Sequence, residues 1–301
     1  MRYWIDKDTT IWIELPELFD FKVNLDYLKR DLNECLYEVM DDTVLKVIFN
    51  TLVKVSSDDN KYLVVEFLSG DIPKTMKDKE KFVSYVSDWF DLDTDLEEFY
   101  IIAGKDKLLK ETIDRFYGLR TMGIPDLFEA LCWGILGQQI NIGFAYTLKR
   151  QFVEKFGDYI EYENKKYWIF PSYDTIAKLE PGDMTGVQLT KRKIEYIIGV
   201  AKEMSSGRLS KKELLEMNDF KKAEKALVKI RGIGPWTANY VLMRCLRYTN
   251  AFPIDDVGLH NSIKFQLDID RKPTKDEILE LSAGWSHWES YATFYLWRLK
   301  Y

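Results

Sequence analysis

The spacing of apolar residues changes once along this chain, near Pro73. Before that point the pattern alternates. Ile11, Ile13 and Leu15 alternate with Trp12 and Glu14, the period of a strand with one buried face. Val44 to Val55 is β-branched and apolar and follows an Asp41-Asp42 turn. Ser56-Ser57-Asp58-Asp59-Asn60 separates it from Tyr62-Leu63-Val64-Val65-Glu66-Phe67, so the two runs read as the arms of an antiparallel hairpin. A helix is expected near residues 25–35.

After Pro73 the spacing becomes helical. Phe82, Val83, Val86 and Phe90 recur at three and four residues, and the pattern holds almost to the end. Asp126 and Glu129 have the spacing of a capping box. The helix they open carries Leu127, Phe128, Leu131, Cys132, Ile135 and Leu136 on one face and stops at Gly137-Gln138-Gln139-Ile140-Asn141. Phe144, Ala145, Leu148, Phe152 and Phe156 mark a second helix. Tyr159 to Phe170 is aromatic, charged and aperiodic, as a small insertion would be. The expected fold is α+β: an N-terminal antiparallel β-sheet domain with helices over 1–90, then an all-α domain over 91–301.

Composition narrows this little. A chain of 301 residues, 46% hydrophobic and 31% charged, suits a globular protein of two or three domains. No apolar run approaches the ~18 residues of a membrane span, and no membrane partner is expected. Nine Trp suit large cores, with a minority free to stack on bases. Cys35, Cys132 and Cys245 are too scattered for a disulfide framework or a metal cluster, and with no signal-peptide pattern at the N-terminus a cytoplasmic protein is expected.

Charge does change the picture. The net charge of −6 argues against nucleic acid, but its distribution is uneven. Residues 1–100 hold 12 Lys/Arg against 23 Asp/Glu, whereas residues 148–247 hold 20 against 13. The basic stretch leaves room for a phosphate-binding face.

That stretch contains Ile230-Arg231-Gly232-Ile233-Gly234-Pro235-Trp236-Thr237-Ala238. Lys221 to Arg231 reads as a helix ended by glycine. Gly232 and Gly234 permit positive φ and close backbone approach, and Pro235 suits the first position of the next helix. Free N–H groups at such a helix start favour a phosphate. The plainer reading is a helix–turn–helix corner. In the second helix Ala238, Val241, Leu242 and Cys245 share a packing face, with Arg244 and Arg247 off it. Asp256, twenty residues after Trp236, is a helix N-cap on the plain reading and an active carboxylate on the chemical one; Asp255 is its rival. His260 and His287 have no metal-site spacing.

The hairpin and the acid after it resemble the helix-hairpin-helix glycosylase superfamily of base-excision repair, and within it the bacterial DNA-3-methyladenine glycosylase II group. Gly118-Leu119-Arg120, Phe128 to Ile140, Ile230 to Tyr240 and Trp288 to Trp297 carry the likeness, which covers most of 80–301. It implies a two-lobed helical domain that binds double-stranded DNA and everts an alkylated purine into a cleft. It implies Asp256 as the catalytic carboxylate, stabilising a sugar that turns cationic or serving as base towards water. Trp236, Tyr240 and Trp297 match the base pocket, and Gln139 matches the residue that fills the gap left in the duplex. Gly232, Gly234, Thr237 and Gln138 are the remaining DNA-binding expectations. The carbonyls of Val228, Ile230 and Ile233 match a structural site for monovalent Na or K; no cofactor is required and no iron–sulfur cluster is expected. Bifunctional relatives place a Schiff-base lysine where this chain has Trp236, so a monofunctional enzyme, acting as a monomer, is expected. An oxidised-purine glycosylase with lyase activity, a non-catalytic DNA-binding module and a scaffold without DNA are the competing readings.

Overall fold

The computed structural model describes residues 2–299. Six strands form one antiparallel sheet: β1 (Trp4–Lys7), β2 (Thr10–Glu14), β3 (Tyr37–Met40), β4 (Thr43–Ile48), β5 (Thr51–Ser56) and β6 (Tyr62–Gly70), in the order β1-β2-β6-β5-β4-β3. Helix α1 (Phe21–Leu28) interrupts them and α2 (Met76–Phe90) follows. Ile11, Ile13, Val53, Val55, Leu63 and Val65 share one buried core with Phe82, Val83, Val86 and Phe90 of α2.

Three local expectations are corrected. The run Val44–Val55 is two strands, because Phe49 and Asn50 turn the chain at φ 47° and 57°. A phenylalanine in the left-handed region hides a turn of this kind. Helix α1 starts earlier and ends sooner than 25–35. Asp20 caps it by accepting from Val23 N at 2.9 Å, and beyond it Asp31 bonds Asn33 N at 2.8 Å in a turn. The helical region also contains a two-stranded hairpin, β7 (Asp158–Tyr162) with β8 (Lys165–Ile169), where only an insertion was expected. This ribbon covers the outer face of the sheet: Leu45, Val47 and Leu52 pack against Tyr167, with Ile160 and Ile169 alongside. Burial on both faces explains why apolar residues stand at consecutive positions in β4 and β5 instead of alternating.

The remaining helices are α3 (Glu97–Ala103), α4 (Lys110–Arg115), α5 (Leu127–Leu136), α6 (Ile142–Phe156), α7 (Tyr173–Ala177), α8 (Lys191–Ser205), α9 (Lys211–Glu216), α10 (Phe220–Val228), α11 (Pro235–Arg244), α12 (Val257–Gln266), α13 (Lys275–Leu281) and α14 (Glu289–Trp297). Asp126 caps α5 through Glu129 N at 2.7 Å. The reciprocal half of the expected box is missing, because Glu129 turns instead to Lys149, 3.4 Å away. Lys149 also bonds both oxygens of Glu34 at 3.0 Å, a buried ion pair that ties α6 to the loop after α1.

Gly118-Leu119-Arg120 clasps the sheet region to the helices. Gly118 has φ 80°, and an added Cβ would lie 2.4 Å from Asp20 N. Asn24 donates to Gly118 O at 2.9 Å and accepts from Arg120 N at 2.8 Å, while Tyr295 donates to Leu119 O at 2.9 Å.

Candidate active site

The turn between α10 and α11 is built around Gly232. Its φ is 96°, and a Cβ there would come 2.2 Å from the Tyr196 ring. Only glycine satisfies both constraints. Gly234 differs from the expectation of positive φ: it is extended, at φ −89° and ψ 176°, and opens α11 as its N-cap. An added Cβ at Gly234 meets nothing within 4 Å, so the constraint there is open space in front of the helix start. Pro235 supplies no N–H, and the first backbone N–H of α11 bonded back to the chain is Ala238 N, to Gly234 O at 2.9 Å. The N–H groups of Trp236 and Thr237 have no backbone acceptor among the described residues and sit at the positive end of the helix.

Gln138 and Thr237 serve this turn from inside. Gln138 Nε2 donates to Gly232 O at 2.9 Å and to Thr237 Oγ1 at 3.3 Å. The Thr237 side chain is buried against α5, where a Cβ on Gly134 would meet its Cγ2 at 2.5 Å. Gln139 is different: it is exposed, at φ 58°, on the bend between α5 and α6. Val228 ends α10, Ile230 lies in the turn after it, and Ile230 O accepts from Ile233 N at 3.0 Å.

Asp256 caps α12, accepting from Leu259 N through Oδ1 at 2.8 Å. Two indoles hold the same carboxylate. Trp297 Nε1 donates to Oδ1 at 2.8 Å and Trp236 Nε1 to Oδ2 at 3.0 Å. The cap expectation is thus met, and the same side chain accepts from two indoles. Asp255 points elsewhere and pairs with Lys275 at 3.2 Å on the surface.

The carboxylate lines a cavity of about 340 Å³ together with Trp236, Tyr240 and Trp297. Trp236 stacks on Tyr240 with centroids 5.6 Å apart at 27°, and Tyr240 lies 6.2 Å from Trp297. Burial pushes the Tyr240 phenol above its ordinary value, and its oxygen accepts from Arg244 Nη1 at 3.0 Å. Arg244 is therefore buried behind the aromatic wall, while Arg247 reaches away to Asp88 at 2.8 Å. His260 Nε2 lies 2.8 Å from Ile254 O and takes no part in the cavity.

A turn able to hold phosphate, an exposed bend residue and a carboxylate in an aromatic cavity lie on neighbouring elements. A protein-family model described as HhH-GPD superfamily base excision DNA repair protein matches residues 132–287. The chain belongs to this HhH-GPD superfamily. Residues 34–131 match a second family model, described as the 8-oxoguanine DNA glycosylase N-terminal domain. The boundary between the two family matches falls inside α5, within one continuous core. A Bacillus subtilis protein named DNA-3-methyladenine glycosylase is 57% identical over 302 residues, covering 99% of each chain. The solved 3-methyladenine DNA-glycosylase of Archaeoglobus fulgidus has a TM-score of 0.82 at 24% identity, covering 95% of this chain and 97% of that one. A Clostridium acetobutylicum 8-oxoguanine glycosylase/lyase in complex with double-stranded DNA gives 0.77 at 20% identity, covering 99% and 97%. Both structural likenesses are of fold.

Residues from the sheet region also reach the cavity, which the sequence reading missed. Tyr27 and Arg30 line it, as does Trp133 from α5. Nothing in their spacing relates Tyr27 and Arg30 to Asp256, more than two hundred residues away; only the docking of α1 against α14 does so, seen in the Tyr27–Phe294 ring contact at 4.6 Å.

Proposed function

We propose that this chain is a monofunctional DNA glycosylase that releases alkylated purines, of the 3-methyladenine and 7-methylguanine type, from duplex DNA. The observation that carries this reading is the Asp256 carboxylate, held by two indole N–H groups on the wall of an aromatic cavity beside the hairpin. The α11 start and the Gly232 turn grip a backbone phosphate, and Gln139 fills the gap in the duplex. The everted nucleotide enters between Trp236, Tyr240 and Trp297. Electron-rich ring faces attract a cationic alkylpurine by roughly 0.5–2 kcal/mol per contact.

As the purine leaves, positive charge grows on the sugar. Oδ1 accepts from two donors and Oδ2 from one, so Oδ2 keeps acceptor capacity towards the reacting sugar or water. We assign Asp256 to electrostatic stabilisation, because the charge is already oriented before substrate arrives. A carboxylate about 4 Å from the forming cation contributes ~4 kcal/mol at an effective dielectric near 20. The Na or K proposed for the hairpin fits the turn: the carbonyls of Val228 and Ile233 accept no backbone N–H among the described residues. Such an ion would tie the turn to phosphate.

The match of residues 34–131 to an 8-oxoguanine glycosylase domain favours one competing reading, an oxidised-purine glycosylase with lyase activity. Against it, no lysine lines the cavity among the described residues, and Trp236 has no amine to attack the sugar. Borohydride trapping during turnover on methylated duplex DNA separates the two. Base release with no covalent protein–DNA adduct is expected; an adduct overturns the monofunctional assignment.

A further inference from the structure

The cavity that holds Asp256 also has three guanidinium groups on its wall, and two of them, from Arg30 and Arg244, have no carboxylate partner among the described residues. Their hydrogen bonds go to neutral oxygens. Arg244 bonds Met122 O and the Tyr240 hydroxyl, and it lies behind the aromatic wall. Arg30 comes from the loop after α1. Its Nε donates to Tyr146 Oη at 2.6 Å, its Nη1 donates to the Tyr27 hydroxyl, and its Cζ lies 4.3 Å from the Tyr27 ring centre. The third arginine on the wall, Arg298, is neutralised by Asp26 at 2.6 Å. Asp256 is the one carboxylate lining the cavity among the described residues, and its bonds run to indoles and a backbone N–H. The wall therefore carries more positive than negative charge, and Nη2 of Arg30 has no protein partner among the described residues.

This arrangement works against a purely aromatic selection. Ring faces draw a cationic base, whereas a fixed guanidinium repels it. The same guanidinium is a strong donor to the carbonyl of a 6-oxopurine, the contact arginine makes with guanine in DNA recognition. An N3-methylated adenine nucleoside presents an amino donor at that edge and a full positive charge. Resting on the glycosylase reading above, we propose that Arg30 is a specificity-determining residue. It donates from Nη2 to the O6 carbonyl of an everted purine, and so biases release towards neutral 6-oxopurines, hypoxanthine being the simplest, relative to 3-methyladenine.

The test is the ratio of single-turnover release rates for hypoxanthine and 3-methyladenine, measured for wild type, Arg30→Met, Arg30→Gln and Arg30→Lys on matched duplexes. Because it is a ratio within one preparation, the fraction of active protein cancels. Arg30→Met is expected to lower the hypoxanthine to 3-methyladenine ratio by on the order of 10- to 100-fold, the loss of one hydrogen bond from a charged donor. Arg30→Gln is expected to fall in the same direction, and Arg30→Lys to recover part of the ratio. A purely structural role would slow both bases alike. If both bases are released and the ratio stays within about twofold in Met and Gln variants, the assignment is overturned. Release of neither base by wild type overturns the glycosylase reading, and this assignment with it.

Discussion

Replacing Trp297 by phenylalanine removes one atom group that matters and keeps most of the rest. The ring remains to face Tyr240, 6.2 Å away, and Phe294, 6.1 Å away. What is lost is the indole N–H that donates to Asp256 Oδ1 at 2.8 Å. Trp236 and Leu259 N still hold the carboxylate, so it stays in place but gains rotational freedom. A hydrogen bond to a charged group contributes about 1.5–3 kcal/mol. If that bond serves to aim the charge at the sugar, its loss appears in the chemical step and lowers the rate by about 10- to 100-fold. Affinity for duplex should change little, because the hairpin is untouched. The assay is single-turnover base release under saturating enzyme, with duplex affinity measured in parallel and thermal unfolding to check the fold. A folded Trp297→Phe protein with an unaltered single-turnover rate would refute the claim that the indoles orient the carboxylate.

The two glycines of the hairpin should behave differently. Gly232→Ala forces a Cβ towards Tyr196 at φ 96° and should lower the melting temperature, at a cost above the ~1–2 kcal/mol of a left-handed alanine. Gly234→Ala, extended and with open space, should leave the melting temperature nearly unchanged, whereas Gly234→Asp should weaken duplex binding in a filter or anisotropy assay without unfolding the chain. Lys149→Met leaves Glu34 and Glu129 buried without their cation and should destabilise the fold by about 3–5 kcal/mol in urea titration. The pH dependence of that pair has a defined sign. Burial raises the Glu34 carboxyl, but Lys149 and the Leu36 N–H outweigh it and hold it below its ordinary value. Its contribution is thus present above the ordinary glutamate range and is lost as pH falls through the lower folded value. Wild-type urea midpoints should fall on acidification, and the Lys149→Met protein should lose that part of the slope.

Much of this site could be read along the chain because its parts are local. Gly232, Pro235 and the N-cap Asp256 each follow a rule that acts within a few residues, and the helical spacing after Pro73 found α5 and α6. The Phe49–Asn50 turn escaped notice because both strands it joins are buried on two faces and alternate poorly. Gln138 and Thr237 are expected among the DNA-binding residues, but their bond to each other joins helices that meet only in three dimensions and has no signal along the chain. Arg30 was invisible for the same reason: its place on the cavity wall depends on the docking of α1, through Tyr27 and Tyr146, and on no motif.

Mass-spectrometric analysis of the bases released from methylated duplex DNA by wild type and Asp256→Asn bears most directly on the central claim. Asparagine removes the charge and must set an amide N–H against one of the three donors that now face the carboxylate. Wild type should release alkylated purines, and the variant should release them on the order of 10²- to 10³-fold more slowly, from the ~4 kcal/mol Coulomb contribution, while still binding duplex. Equal release by a folded Asp256→Asn protein would contradict the account.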